Sequence, residues 1–183
     1  MNYKRWILVA VGLFAIGMAV GLAMPTDIAD LLVEDLAALE ELGNIFSPFK
    51  ITTALFIFFK NVSALLVSFI FSPILCLTPI LALTANGLVL SFVSSAVVQE
   101  ESLGLLLAAL LPHGIFELPA LIMGEAAALS FGAMAIVALI SKEKRNQLPP
   151  NLKQNLRYLV LAFALLLPAA IIETYITPLF LPL

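Results

Sequence analysis

Long apolar stretches separated by short polar segments form the main pattern of this 183-residue chain. A helix that crosses the hydrocarbon core of a bilayer needs about 20 mostly apolar residues. Four stretches meet that length: Trp6–Met24, Ile51–Phe71, Pro73–Val93 and Tyr158–Leu183. A fifth stretch, Gly104–Ile140, is too long for one such helix and barely long enough for two. The pattern therefore predicts an all-α, polytopic bundle of transmembrane helices.

The composition supports a membrane protein. The chain is 62% apolar and 11% charged, whereas soluble domains carry roughly a quarter charged residues. Little sequence lies outside the apolar stretches, so we expect a single membrane domain over residues 1–183, with the lipid bilayer as its main partner. Nucleic acid is not an expected partner, because membrane orientation explains the short basic cluster. Cys76 is the only cysteine and has no internal disulfide partner.

The N-terminal apolar stretch resembles a secretory signal, because Lys4 and Arg5 precede it. It is longer than the roughly 7–15 apolar residues of a signal core, so we interpret it as a retained first helix. Gly17 and Gly21 are four residues apart within it. This spacing of small residues predicts close packing against another helix.

The distribution of charge predicts the orientation. Cytoplasmic segments are enriched in lysine and arginine, which places Lys4, Arg5 and the basic loop 142–157 inside a cell membrane. The acidic segment 25–48 then lies outside, where its leucine spacing predicts an amphipathic helix. From the polar residues near Glu101, also outside, the chain must cross an odd number of times to reach the basic loop. We expect a cytoplasmic N-terminus and an external C-terminus.

A re-entrant element satisfies both this count and the length of the fifth stretch. Residues 104–112 would enter from outside as a half-helix that breaks at Pro112, because proline removes a helical hydrogen bond. Gly114 would adopt the unusual backbone angles of the reversal. His113–Ile140 would then run to the cytoplasm, bent at Pro119. We predict five spanning helices plus this half-helix; the alternative is six spanning helices that violate the charge rule.

Ionisable residues within the apolar stretches are candidates for a functional site. His113 and Glu117 are four residues apart and share one helical face. Ionisable groups at membrane depth are costly unless they are paired or hydrated, and they commonly mark ion or solute pathways. Five further polar residues lie at comparable depth: Lys60, Asn61, Asn86, Glu125 and Glu173.

Each of these residues has more than one interpretation. A lysine at the centre of a spanning helix costs about 2.5–3.5 kcal/mol, so we expect Lys60 to pair with Glu117 or Glu173. Asn61 and Asn86 are expected to form hydrogen bonds between helices or to contact a solute. Glu125 has the simpler interpretation of a carboxylate hydrated in a vestibule. His113 and Glu117 form either a working site or a latch that holds the half-helix.

The same residues are candidates for metal binding. His113 and Glu117 can both ligate a metal, with Glu173 or Glu125 as the third ligand. The chain has a single histidine, and it contains no His-Glu-x-x-His motif, nucleophile elbow, phosphate-binding loop or dinucleotide fingerprint. A metal-dependent hydrolase is therefore the least favoured function, an enzyme is not expected, and no cofactor is predicted.

Pro112–Ala120, together with three shorter motifs, resembles the hallmark of the stage II sporulation protein M family of small multi-pass membrane proteins. The supporting motifs are Lys60-Asn61, Leu83–Gly87 and Ala169–Pro178, so the resemblance extends from the second apolar stretch to the end. The chain departs from the family where Val62 stands in place of a second asparagine. The resemblance implies an integral membrane protein, and in spore formers it implies a scaffold for engulfment that works with peptidoglycan-degrading partners.

Two classes of function follow. In the first, the protein resembles a channel or transporter, and His113, Glu117 and Glu173 form a midplane site for a proton, ion or small solute. In the second, it is a non-catalytic scaffold that recruits envelope proteins, and the polar residues only stabilise the fold. A homo-oligomer is compatible with both.

Overall fold

Five long helices build the fold in the computed structural model, which describes residues 3–24 and 48–180. They are α1 (Tyr3–Leu22), α2 (Ile51–Phe71), α3 (Leu77–Glu100), α4 (Leu103–Ile140) and α5 (Leu148–Tyr175), with short 3-10 helices at Lys142–Gln147 and Thr177–Phe180. The predicted all-α class is confirmed. All five are long and apolar enough to span a membrane. The predicted acidic helix lies almost wholly outside the described residues.

Helix α4 replaces the predicted half-helix and break. It runs without interruption from Leu103 to Ile140, through Pro112 and Pro119. No described glycine, Gly114 included, has a positive φ angle. The re-entrant half-helix 104–112 is therefore not confirmed. Prolines are tolerated within transmembrane helices because neighbouring groups satisfy the freed backbone atoms.

The length of α4 also answers the crossing count. Its 38 residues extend about 57 Å at roughly 1.5 Å per residue, whereas the hydrocarbon core is about 30 Å thick. One tilted or protruding helix thus accounts for the whole fifth stretch. A single crossing is an odd number, so this helix meets the charge rule without re-entry and without a sixth span.

The turns between helices follow local sequence signals. The predicted turn at Ser72-Pro73 joins α2 to α3, and the Cys76 amide donates to the Ser72 carbonyl at 2.9 Å. Ser102 caps α4, because its hydroxyl accepts from the Leu105 amide at 3.1 Å. The basic segment 142–157 is not an irregular loop. It forms the 3-10 helix and the first turns of α5, which has prolines at its start.

Glycines hold α1 directly against α3. A Cβ on Gly17 would overlap the backbone of Thr84, and one on Gly87 would overlap the Phe14 carbonyl. Gly21 lies equally close to Leu88 and Ser91. The close packing predicted from Gly17 and Gly21 is confirmed, with α3 as the partner helix.

Helix α4 is the centre of the bundle and contacts each of the other four long helices. Its segment 124–130 is buried throughout and consists mainly of glycine and alanine, which lets the neighbouring helices approach closely. Contacts with α2 advance along both chains in the same direction, from Asn61–Glu117 to Ser68–Glu125. Helix α5 runs the opposite way. The arrangement places residues near the middle of α2 and α4 beside the end of α5.

Candidate functional site

His113, Glu117 and Glu173 come together between α4 and α5. One ligating atom of each lies within 4.8 Å of those of the other two. His113 Nε2 and Glu117 Oε2 are 3.7 Å apart, as the four-residue spacing on one helix allows. Glu173 is brought to them by the antiparallel course of α5. We call these three residues the His–Glu site.

Two neutral side chains hold the site from outside. Asn61 Nδ2 on α2 donates to Glu117 Oε1 at 3.1 Å. His113 Nδ1 lies 3.4 Å from Thr177 Oγ1, in the 3-10 helix that follows α5. Each contact uses the atom that faces away from the site, so Glu117 Oε2 and His113 Nε2 remain directed at each other.

The site lies near the middle of the span. Asn61 is the central residue of Ile51–Phe71, about 15 Å from either end at the helical rise. The side chains are not sealed, because the exposed fraction is 14% for His113 and 33% for Glu117. Ionisable groups at this depth are therefore partly accessible in the described part of the chain.

Two cavities reach the site. The first, about 190 Å³, lies between α1, α3 and α4, and His113, Glu117 and Asn86 contribute its polar groups. The second, about 80 Å³, is lined by Asn61, Asn86, Glu117 and Glu125. Because Glu117 and Asn86 border both cavities, the two spaces adjoin at Glu117. A larger groove, about 650 Å³, lies on the outer face of α5 and is lined mostly by apolar side chains.

Glu125 is a separate polar position eight residues after Glu117. Its side chain is buried, with 1% of its surface exposed. Ser68 on α2 donates a hydrogen bond to it. The expected hydrated vestibule is therefore replaced by a buried carboxyl group at the end of the smaller cavity.

Lys60 and Asn86 differ from their predicted placement. Lys60 is exposed, and no ion pair joins it to Glu117 or Glu173 among the residues that the structure describes. It is nevertheless close enough to act on Glu173 electrostatically. Asn86 donates to the Ala82 carbonyl of its own helix at 2.7 Å, so Asn61 is the asparagine that bonds between helices.

A polar cluster that the sequence analysis did not identify lies between α4 and α5. Asn155 Nδ2 donates to Ser130 Oγ at 3.2 Å and to Asn151 Oδ1 at 2.9 Å, and all three side chains are buried. The signal was present, since Asn151 and Asn155 are four residues apart on one helical face. It was missed because both were assigned to a loop. Thr177 was missed too, for it stands 64 residues from His113.

Five apolar helices around buried and half-buried polar groups define a polytopic helical membrane protein. Within that class, the chain belongs to the stage II sporulation protein M family, whose sequence profile matches residues 10–178. This match confirms the resemblance drawn from Pro112–Ala120.

A relative and the solved structures add little to the family match. An uncharacterized protein of Methanocaldococcus jannaschii is 31% identical over 86 residues, which cover 47% of this chain and 48% of the archaeal protein. The matched segment thus spans about half the length of this curated relative. No solved structure matches the chain.

Proposed function

We propose that the protein is channel- or transporter-like and that the His–Glu site binds a cation during its passage across the membrane. The observation that carries the proposal is the meeting of His113, Glu117 and Glu173 within 4.8 Å, beside a cavity of about 190 Å³. Transporter sites are commonly built near the bilayer midplane from polar groups on several helices.

Electrostatics favours a cation. Two carboxylates so close together repel each other, and removing them from water adds a desolvation cost. A bound cation offsets both terms, and it is held by groups that Asn61 and Thr177 already orient. The adjoining cavities supply the space through which a hydrated ion approaches.

We further propose that the N-terminus and the basic segment 142–157 face the cytoplasm of a cell membrane. Five spanning helices then place the C-terminus outside. The support is the agreement between the charge distribution and an odd number of spans. The exposed lysine at position 60 would face an aqueous opening or a second copy of the chain.

A scaffold is the second candidate function. The bonds from Asn61 to Glu117 and from His113 to Thr177 tie α2, α4 and the C-terminal turn together, as a purely structural latch would. In that case the loops would recruit envelope proteins and no ion would pass.

Ion flux into liposomes separates the two candidates. Purified protein is reconstituted, and the uptake of monovalent and divalent cations is measured under concentration and pH gradients. We expect flux in the wild type and its loss in Glu117→Gln, which keeps an acceptor for Asn61. Glu143→Gln, an exposed carboxylate in the 3-10 helix, is the matched control and keeps full flux. Absence of flux under every gradient would refute transport and leave the scaffold.

A further inference from the structure

We infer that the ion held by the His–Glu site is a divalent transition-metal ion of the class of Zn²⁺, Co²⁺ and Mn²⁺. The inference rests on the proposed cation site and specifies what it binds. Glu117 and Glu173 offer carboxylate oxygens, and His113 offers a nitrogen.

The donor set selects this class. One imidazole and two carboxylates are the ligands of several catalytic zinc sites and of non-haem iron sites. Calcium and magnesium prefer oxygen ligands only, so an imidazole would contribute little to them. Bond lengths of about 2.0–2.2 Å require the three ligand atoms to approach each other by roughly an ångström. Since the glutamate side chains are flexible, rotamer changes supply that movement.

The second observation is the orientation of the ligands. Histidines that bind metals usually bond an acceptor through the other ring nitrogen, which fixes the ring and its tautomer. Thr177 Oγ1 occupies that position at His113 Nδ1, at 3.4 Å. Asn61 likewise takes Glu117 Oε1 and leaves Oε2 directed at His113 Nε2, 3.7 Å away. Both ligands are thus held by the atoms that a metal would not use.

Charge gives a third argument. Two ionised carboxylates and a neutral imidazole carry two negative charges, which a divalent ion cancels and a monovalent ion does not. A neutral assembly costs least at membrane depth. Lys60 acts on Glu173 from the rim and supplies positive charge when no ion is bound. Glu125 has Ser68 beside it and is not one of the three clustered ligands, so it serves as an internal comparison.

Cobalt binding tests the inference without any flux measurement. Tag-free protein in detergent is titrated with Co²⁺, and the ligand-field absorption bands are recorded. We expect one Co²⁺ per chain, displaced by Zn²⁺. His113→Gln, Glu117→Gln and Glu173→Gln should each weaken binding at least tenfold, and Glu125→Gln should leave it unchanged. Thr177→Val removes no ligand and should still weaken binding about tenfold or more, as loss of an outer partner does.

The controls separate binding from folding and from transport. Helical circular dichroism shows that each variant is folded, and His113→Cys, which restores a soft ligand, should recover part of the Co²⁺ affinity. Folded wild type that binds no Co²⁺, or binding that survives all three ligand substitutions, would overturn the inference. Binding without flux would refute the proposed transport and keep the metal site. Potassium flux without Co²⁺ binding would refute the metal site alone.

Discussion

Gly17→Ala should destabilise the protein because it separates α1 from α3. The new methyl group would overlap the carbonyl and Cα of Thr84, which are backbone atoms that move only with the whole of α3. Overpacking of this kind costs about 1–3 kcal/mol. Gly12→Ala is the matched control, since nothing lies within 4 Å of a Cβ at that position on the same helix.

The difference between the two variants isolates the packing contribution. Both replace glycine by alanine in α1, so the gain in helix propensity, up to about 1 kcal/mol, is common to both. We therefore expect Gly17→Ala to be less stable than Gly12→Ala by about 1–3 kcal/mol. Reversible unfolding by SDS in mixed micelles, followed by helical circular dichroism and the fluorescence of Trp6, measures this difference. Equal midpoints, or a more stable Gly17→Ala, would refute the close approach of α1 and α3.

Three further changes probe the polar positions. Ser68→Ala should cost about 1–3 kcal/mol, because buried Glu125 loses its hydrogen-bond donor, whereas Ser63→Ala on the exposed face of α2 should change the SDS midpoint little. Asn155→Leu should cost about 0.6–2 kcal/mol by the same assay, and an unchanged midpoint would show that the buried cluster between α4 and α5 contributes nothing. Lys60→Met should tighten cation binding at the His–Glu site severalfold in the Co²⁺ titration, because it removes a repelling charge; unchanged affinity in folded protein would contradict the electrostatic contact.

The spans were largely predictable from hydrophobic length. Ile51–Phe71 has the same bounds in the sequence pattern and in the structure. The turn after it was readable because proline disfavours a continuing helix. The start of α5 was not, since residues 148–157 are polar and basic and lie beyond the apolar stretch that hydropathy detects. Polar turns at the end of a long helix carry no membrane signal.

The continuity of α4 was not predictable from the prolines alone. Pro112 and Pro119 each remove one backbone hydrogen bond, but whether the helix ends depends on the helices packed around it. The charge argument for an odd number of crossings was compatible with the final fold. The inference from proline to a break was the wrong step.

The His–Glu site was partly predictable. The spacing of His113 and Glu117 fixes them on one face, and the need for a partner in an apolar span indicated Glu173. Lys60 was misplaced because consecutive residues point about 100° apart around a helix. Asn61 therefore contacts Glu117, and Lys60 faces outwards. Only the fold could show which of the two faces the bundle.

Access of water and cations to the middle of the membrane is the claim on which the proposed function depends. Leu121 lines both cavities and is not part of the His–Glu site. In a Cys76→Ala background, Leu121→Cys can be treated with a membrane-impermeant cationic thiol reagent, with buried Leu129→Cys as the control. We predict rapid modification at position 121, with concurrent block of ion flux, and none at position 129. Modification at position 121 as slow as at position 129 would contradict a hydrated pathway and identify the site as a dry structural latch.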